Sequence, residues 1–177
     1  MMTEEKTADQ LQIESLIKNL DTFIPDPKKG LPLDVFYFVS RMTPLVNVDL
    51  LIKNEKNETL LTWRHDQFYH GWHIAGGILR FKETFADRLN AVAKAEFGVQ
   101  IEFDSEPVVV QEKILPTRDV RGHFISFLYR CRLLSALDEK LKCSDPEAPK
   151  HGQWMWHKGS PRQLIPPHEA FRKYIEA

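Results

Sequence analysis

The chain has 177 residues, 24 Lys and Arg against 25 Asp and Glu, and two cysteines, a length that suits one domain with a short extension. Its 42% hydrophobic and 11% aromatic content supports a sizeable core, and 28% charge without a low-complexity tract argues against disorder. A net charge of −1 excludes a general nucleic-acid binder, which needs a basic surface to attract phosphates.

Cys131 and Cys143 are too few for a disulfide scaffold and stand in no metal-ligand spacing, so reduced thiols in a cytoplasmic protein are expected. The charged start, Met1 to Lys6, lacks the apolar segment of a signal peptide. The longest clearly apolar stretch, Val35 to Val39, falls far short of the ~20 residues that span a membrane. A soluble protein without a membrane partner is the expectation.

Along the chain, Leu11, Ile13, Leu16, Ile17 and Leu20 recur at helical spacing and predict a helix over Ala8 to Leu20. Pro25, Pro27 and Gly30 break it, which makes residues 1–30 a helical extension and 31–177 the main domain. Leu31 to Met42 is aromatic-rich and ambiguous. Val46 to Ile52, an apolar run interrupted by Asp49, and Thr59 to Trp63 flank a polar turn and predict a hairpin. His65 to Gly77 reads as a loop leading to a short strand. Phe85, Leu89, Val92, Ala93 and Phe97 form one stripe of a helix over Glu83 to Phe97, with Gly98 placed to end it. Val108 to Leu115 and Phe124 to Leu134 predict two strands joined by a polar loop, Gln153 to His157 a last short strand, and Pro167 to Ile175 a closing helix with Pro in its first turn. The alternation lacks the regular repeat of a doubly wound sheet. It fits an α/β (α+β) sandwich with a mixed sheet.

The chemistry concentrates between Gly76 and Val99. A glycine pair lets a backbone carbonyl approach a ligand closely, and the carboxylate of Glu96, late on the following helix, could join it in holding a hard divalent cation. The spacing of this segment resembles the Nudix box, G-x5-E-x7-R-E-U-x-E-E-x-G-U with U aliphatic. Gly77, Glu83, Ala93, Glu96, Gly98 and Val99 occupy matching positions. From about Thr43 to Trp156 the chain is similar to the GDP-mannose mannosyl hydrolase branch of that family. Thr43-Pro-Leu-Val-Asn-Val-Asp-Leu-Leu-Ile52, Leu61-Thr-Trp-Arg64, Gly71-Trp-His-Ile-Ala-Gly-Gly77 and Lys150-His-Gly-Gln-Trp-Met-Trp156 carry the likeness.

The resemblance implies a Nudix-type α/β/α sandwich, a small nucleotide-sugar substrate of the GDP-mannose type, one Mg²⁺ ion and a homodimer, to which residues 1–30 could add. It implies attack of water at the anomeric carbon with inversion. Gly76 (through its carbonyl) and Glu96 would be metal ligands, His151 the general base, and Arg64 the clamp on the leaving diphosphate. Ordinary Nudix enzymes gather several ions on three helix carboxylates sharing one face. Here those positions are Val92, Ala95 and Glu96, which leaves a single carboxylate.

Two departures stand out. The box arginine is Ala91, so Glu83 lacks its usual partner. Lys150 stands where the branch has a glutamine ligand, and an ammonium has no lone pair for a metal while charged. Either Glu112 or another residue supplies the third ligand, or Lys150 replaces part of the metal's charge at the substrate, or the site no longer turns over. Trp72 beside the glycine turn could stack on a guanine base. Arg118 and Arg121 flank a loop and could meet phosphates or only water. Arg64 could simply pair with Asp66, while His73 and His123 read as structural. A conventional pyrophosphohydrolase and a non-catalytic binding module are the other readings.

Overall fold

The computed structural model describes residues 6–177; residues 1–5, on which the expectation of no signal peptide rests, lie outside the described residues. Helix α1 (Ala8–Asp21) begins at a capping box, with Thr7 Oγ1 accepting the Gln10 N–H while the Gln10 side chain accepts the Thr7 N–H. Its apolar residues lie at the expected spacing, yet none is buried. A 3-10 turn at Pro27–Lys29 leads to α2 (Leu33–Met42), which settles the ambiguous aromatic stretch as helix.

The strands are β1 (Leu45–Ile52), β2 (Thr59–His65), β3 (His70–His73) and β4 (Gly76–Ile78), then helix α3 (Phe85–Phe97), then β5 (Ile101–Phe103), β6 (Val109–Ile114), β7 (His123–Leu133) and β8 (Trp154–His157). β1 runs parallel to β7 and antiparallel to β4. β5 and β6 both pair antiparallel with β7, on different halves of that long strand. The result is a mixed five-stranded sheet. β3, β2 and β8 make a separate antiparallel sheet.

The hairpin expected from residues 46–52 and 59–63 is corrected by this topology. Asn54 closes the turn and Lys53 bridges Thr59, but the two strands then part into different sheets. The cause is burial. β1 is buried on both faces, with Val48, Leu50 and Ile52 in one core and Leu51 in the other, and only an interior position covers both. β5 escaped the sequence reading because three residues with Glu102 in the middle carry no period.

α3 starts at a second capping box, Thr84 with Asp87, and ends at Gly98 in the left-handed conformation (φ 69°). Its stripe of Leu89, Val92, Ala93 and Phe97 packs on one face of the mixed sheet. On the other face lie Leu61, Trp63 and the closing segment, a 3-10 stretch (Pro166–Phe171) followed by α4 (Arg172–Glu176), which inserts Phe171 and Ile175. This is the expected α/β/α sandwich. Cys131 and Cys143 are buried and free, and burial pushes the Cys131 thiol up to about 12. Among the described residues no helix is long and apolar enough to cross a membrane.

Candidate active site

A cavity of about 410 Å³ opens where the two sheets meet. β4 supplies the glycine pair. A Cβ on Gly76 would run into the Asp49 carboxylate and stand 2.8 Å from the Val48 carbonyl oxygen; one on Gly77 would stand 2.7 Å from Val92 Cγ2. The absent side chains therefore let β4 pair with β1 and let α3 press against the turn. Val92 fills that contact.

The loop before α3 keeps its anchor despite Ala91. Glu83 accepts Arg88 Nε at 2.8 Å and Nη2 at 2.6 Å, and also the Arg80 N–H. The expectation that Glu83 lacks a guanidinium partner is corrected: Arg88, one turn earlier on α3, reaches it in a bidentate pair.

Glu96, Gly76, Arg64 and His151 all line the cavity. Glu96 is half-buried and has no hydrogen-bond partner among the described residues; burial raises its carboxyl above the ordinary range, against the opposing pull of Arg64 and His151. Arg64 Nε pairs with Asp66 Oδ2 at 2.5 Å, as the plainer reading allowed, and still faces the cavity. Burial would raise Asp66, but Arg64 and the N–H groups of Phe68 and Tyr69 hold it below the usual carboxylate range. His151 Nδ1 accepts the His65 backbone N–H at 3.1 Å.

Three expectations are corrected. Trp72 is only 3% exposed and packs edge-on against Trp63 and His157, so it offers no face to a base. Lys150 is exposed and lies outside the cavity lining, its backbone N–H bonded to Gln153 Oε1; the loop turns His151 inward and Lys150 outward. Glu112 faces away on β6 and pairs with His123 at 3.1 Å, so it is no metal ligand here. His73 is structural: Nδ1–H donates to the Ile74 carbonyl, and Nε2 accepts from Thr62.

A buried polar floor was missed. Asp49 is 1% exposed, accepts Ser126 Oγ–H at 2.8 Å, and lies 3.6 Å from Lys113 Nζ and 3.7 Å from His168 Nε2. His168 Nδ1 accepts the Ile74 N–H, which leaves the ring proton on the nitrogen facing Asp49. The sequence signal was Asp49 itself, an ionisable residue inside an otherwise apolar run. Lys113 carried none: it is the one buried position of β6, which only the fold shows.

Among the described residues no three His, Cys, Asp or Glu side chains converge as a metal cluster. The unpartnered carboxylate of Glu96 and the backbone of Gly76 line the same cavity, and both offer oxygen, the donor type that a hard divalent cation takes.

No family profile matches the chain. In three dimensions it resembles the MutT NUDIX hydrolase from Burkholderia pseudomallei, with a TM-score of 0.59 and 17% identity over 74% of this chain and 97% of that one. It also resembles a UDP-X diphosphatase, with a TM-score of 0.56 and 14% identity over 99% of this chain and 82% of that one. The chain has the Nudix fold. In sequence it is similar to the low-salt glycan biosynthesis protein Agl8 of Haloferax volcanii, 28% identical over 155 residues that cover 85% of this chain and 89% of that one.

Proposed function

We propose that the chain is a hydrolase of a nucleoside-diphosphate sugar of the GDP-mannose type, with residues 31–177 as the catalytic domain and 1–30 as an extension. The observation that carries this reading is one free carboxylate, Glu96, set with Arg64 and His151 around a single cavity, while Val92 and Ala95 replace the other box carboxylates. One such carboxylate suits one ion. The similarity to a glycan biosynthesis protein supports a sugar-linked substrate.

In this reading Glu96 and the Gly76 carbonyl hold Mg²⁺, which when bound supplies positive charge against the leaving diphosphate. Arg64, fixed by Asp66, adds a second positive group there. His151 takes a proton from the water that attacks the anomeric carbon. The C–O bond breaks with its electron pair going to the diphosphate oxygen, giving nucleoside diphosphate and free sugar. For this the ring must release the His65 N–H from Nδ1, a bond worth on the order of 1 kcal/mol. A cytoplasmic homodimer completes the reading; the exposed Leu11, Leu16 and Ile17 of α1 support an interface that includes the extension.

A second reading, P–O cleavage, is favoured by the likeness to a UDP-X diphosphatase. Incubation with GDP-mannose and Mg²⁺ separates the two. The first gives GDP and mannose, the second GMP and mannose 1-phosphate. If neither product pair forms from any nucleotide sugar, both readings are wrong.

A further inference from the structure

Of the three cations lining the cavity, two are neutralised from within: Asp66 takes Arg64 and Asp49 takes Lys113. Arg121 is the third. It pairs with no carboxylate among the described residues, and its Nε is buried without a hydrogen-bond partner. A donor left in that state costs stability unless something else accepts from it.

The loop that carries Arg121 is built to aim it. Leu115 N–H donates to the Gly122 carbonyl and Arg118 N–H to the Leu115 carbonyl. A Cβ on Gly122 would stand 2.6 Å from the Arg118 carbonyl oxygen, so the turn closes only on glycine. Arg121 itself sits at φ +52°, a left-handed conformation that a non-glycine residue adopts only when its surroundings hold it there. Two neighbours do so. The Arg121 N–H donates to Ser40 Oγ of α2, which in turn donates to the Tyr37 carbonyl. The guanidinium carbon lies 4.7 Å from the Phe68 ring centroid. Burial, and then repulsion from Arg64, which lines the same cavity, weaken its hold on its proton.

We propose that Arg121 is an anion-binding residue that closes with Arg64 on the two phosphoryl groups of a diphosphate, and that Ser40 is the positioning residue that sets its direction. The choice of a diphosphate rests on the function proposed above; the unpartnered guanidinium does not. Two guanidiniums lining one cavity can each take one phosphoryl group of a diphosphate, whereas a lone phosphate satisfies only one of them.

The test is calorimetric titration of the full chain with inorganic pyrophosphate and with inorganic phosphate, in the presence of a chelator. Wild type binds pyrophosphate more tightly than phosphate. Arg121→Gln lowers pyrophosphate affinity on the order of tenfold or more and phosphate affinity much less, so the ratio collapses. Arg121→Lys restores only part of it, because an ammonium lacks the planar fork. Ser40→Ala lowers the same ratio, and Ser40→Thr restores it. Equal preference in wild type and Arg121→Gln overturns the inference, as does a wild type that binds no pyrophosphate. Should Arg121→Gln not fold, an unchanged ratio in Arg121→Lys overturns it equally. A retained pyrophosphate preference without turnover of any nucleotide sugar counts against the proposed function alone.

Discussion

The imidazole of His151 accepts the backbone N–H of His65 through Nδ1, so the neutral ring carries its one proton on Nε2. A base must give Nδ1 up to water, whereas a donor to the diphosphate acts through Nε2–H as the ring stands. Substitution separates the roles. Glutamine offers an acceptor to His65 and a donor to a ligand, but it cannot take up a proton. We expect His151→Gln and His151→Ala both to lose about 10²–10⁴ in kcat. Retained activity in His151→Gln beside an inactive His151→Ala would falsify the base assignment and make His151 a donor.

Glu96 links stability to the metal. Burial raises its carboxyl above 4.5, so the folded chain keeps this proton to higher pH than the unfolded chain does. Its contribution is fully present below the ordinary glutamate range and is lost as pH rises through the raised value. Glu96→Gln removes the buried charge, so without divalent cations the variant should melt above wild type at pH 7, the gap closing below about pH 4.5. Mg²⁺ should raise the wild-type melting temperature and leave that of Glu96→Gln unmoved. A Mg²⁺ response common to both proteins rules Glu96 out as a ligand.

The residues that read well from sequence are those whose role is local. The α3 stripe, its Gly98 terminus and the register of Gly77 against Glu96 follow from spacing along one segment, and the structure has them so. What the sequence hid depends on partners far along the chain. Val46 to Ile52 and Thr59 to Trp63 look like a hairpin until β7, some 80 residues on, claims β1 in parallel. Ala91 looks like a lost ion pair until Arg88 is seen to reach Glu83. Asp49, Lys113 and His168 come from three separate segments, and each has an ordinary explanation until the fold brings Lys113 and His168 within 4 Å of Asp49.

The Asp49–Lys113 pair makes a sharper demand on the core. Burial raises the Asp49 carboxyl, although Lys113 and Ser126 oppose it, and burial lowers Lys113. Lys113 Nζ also sits 3.8 Å from the Phe171 ring centroid. Removing one member leaves the other charge buried alone, which costs about 3–5 kcal/mol. Lys113→Met should therefore destabilise by that amount at pH 8, and less at low pH, where Asp49 keeps its proton. The double variant Asp49→Asn/Lys113→Met should recover most of the loss. Urea unfolding at pH 5 and pH 8 measures all three, and a single variant as stable as wild type at pH 8 contradicts the pairing.

Three buried histidines set the acid limit of the fold. Burial lowers His73 and His157 to about 4 and puts His168 well below 6.5. All three are neutral in the folded chain at pH 6, while in the unfolded chain they take up protons below about 6.5. The unfolded state then binds more protons, so stability falls as pH falls from about 6.5 toward 4. Each imidazole contributes at most about 1.4 kcal/mol per pH unit in that window. His157 isolates one of them, since its Nε2 has no partner among the described residues and burial alone lowers it. His157→Gln should flatten the dependence of unfolding free energy on pH by close to one proton between pH 6 and pH 4.5, with little change above pH 7. Equal slopes for variant and wild type would mean that His157 is protonated inside the fold, and the neutral core assigned to this end of the second sheet would have to be abandoned.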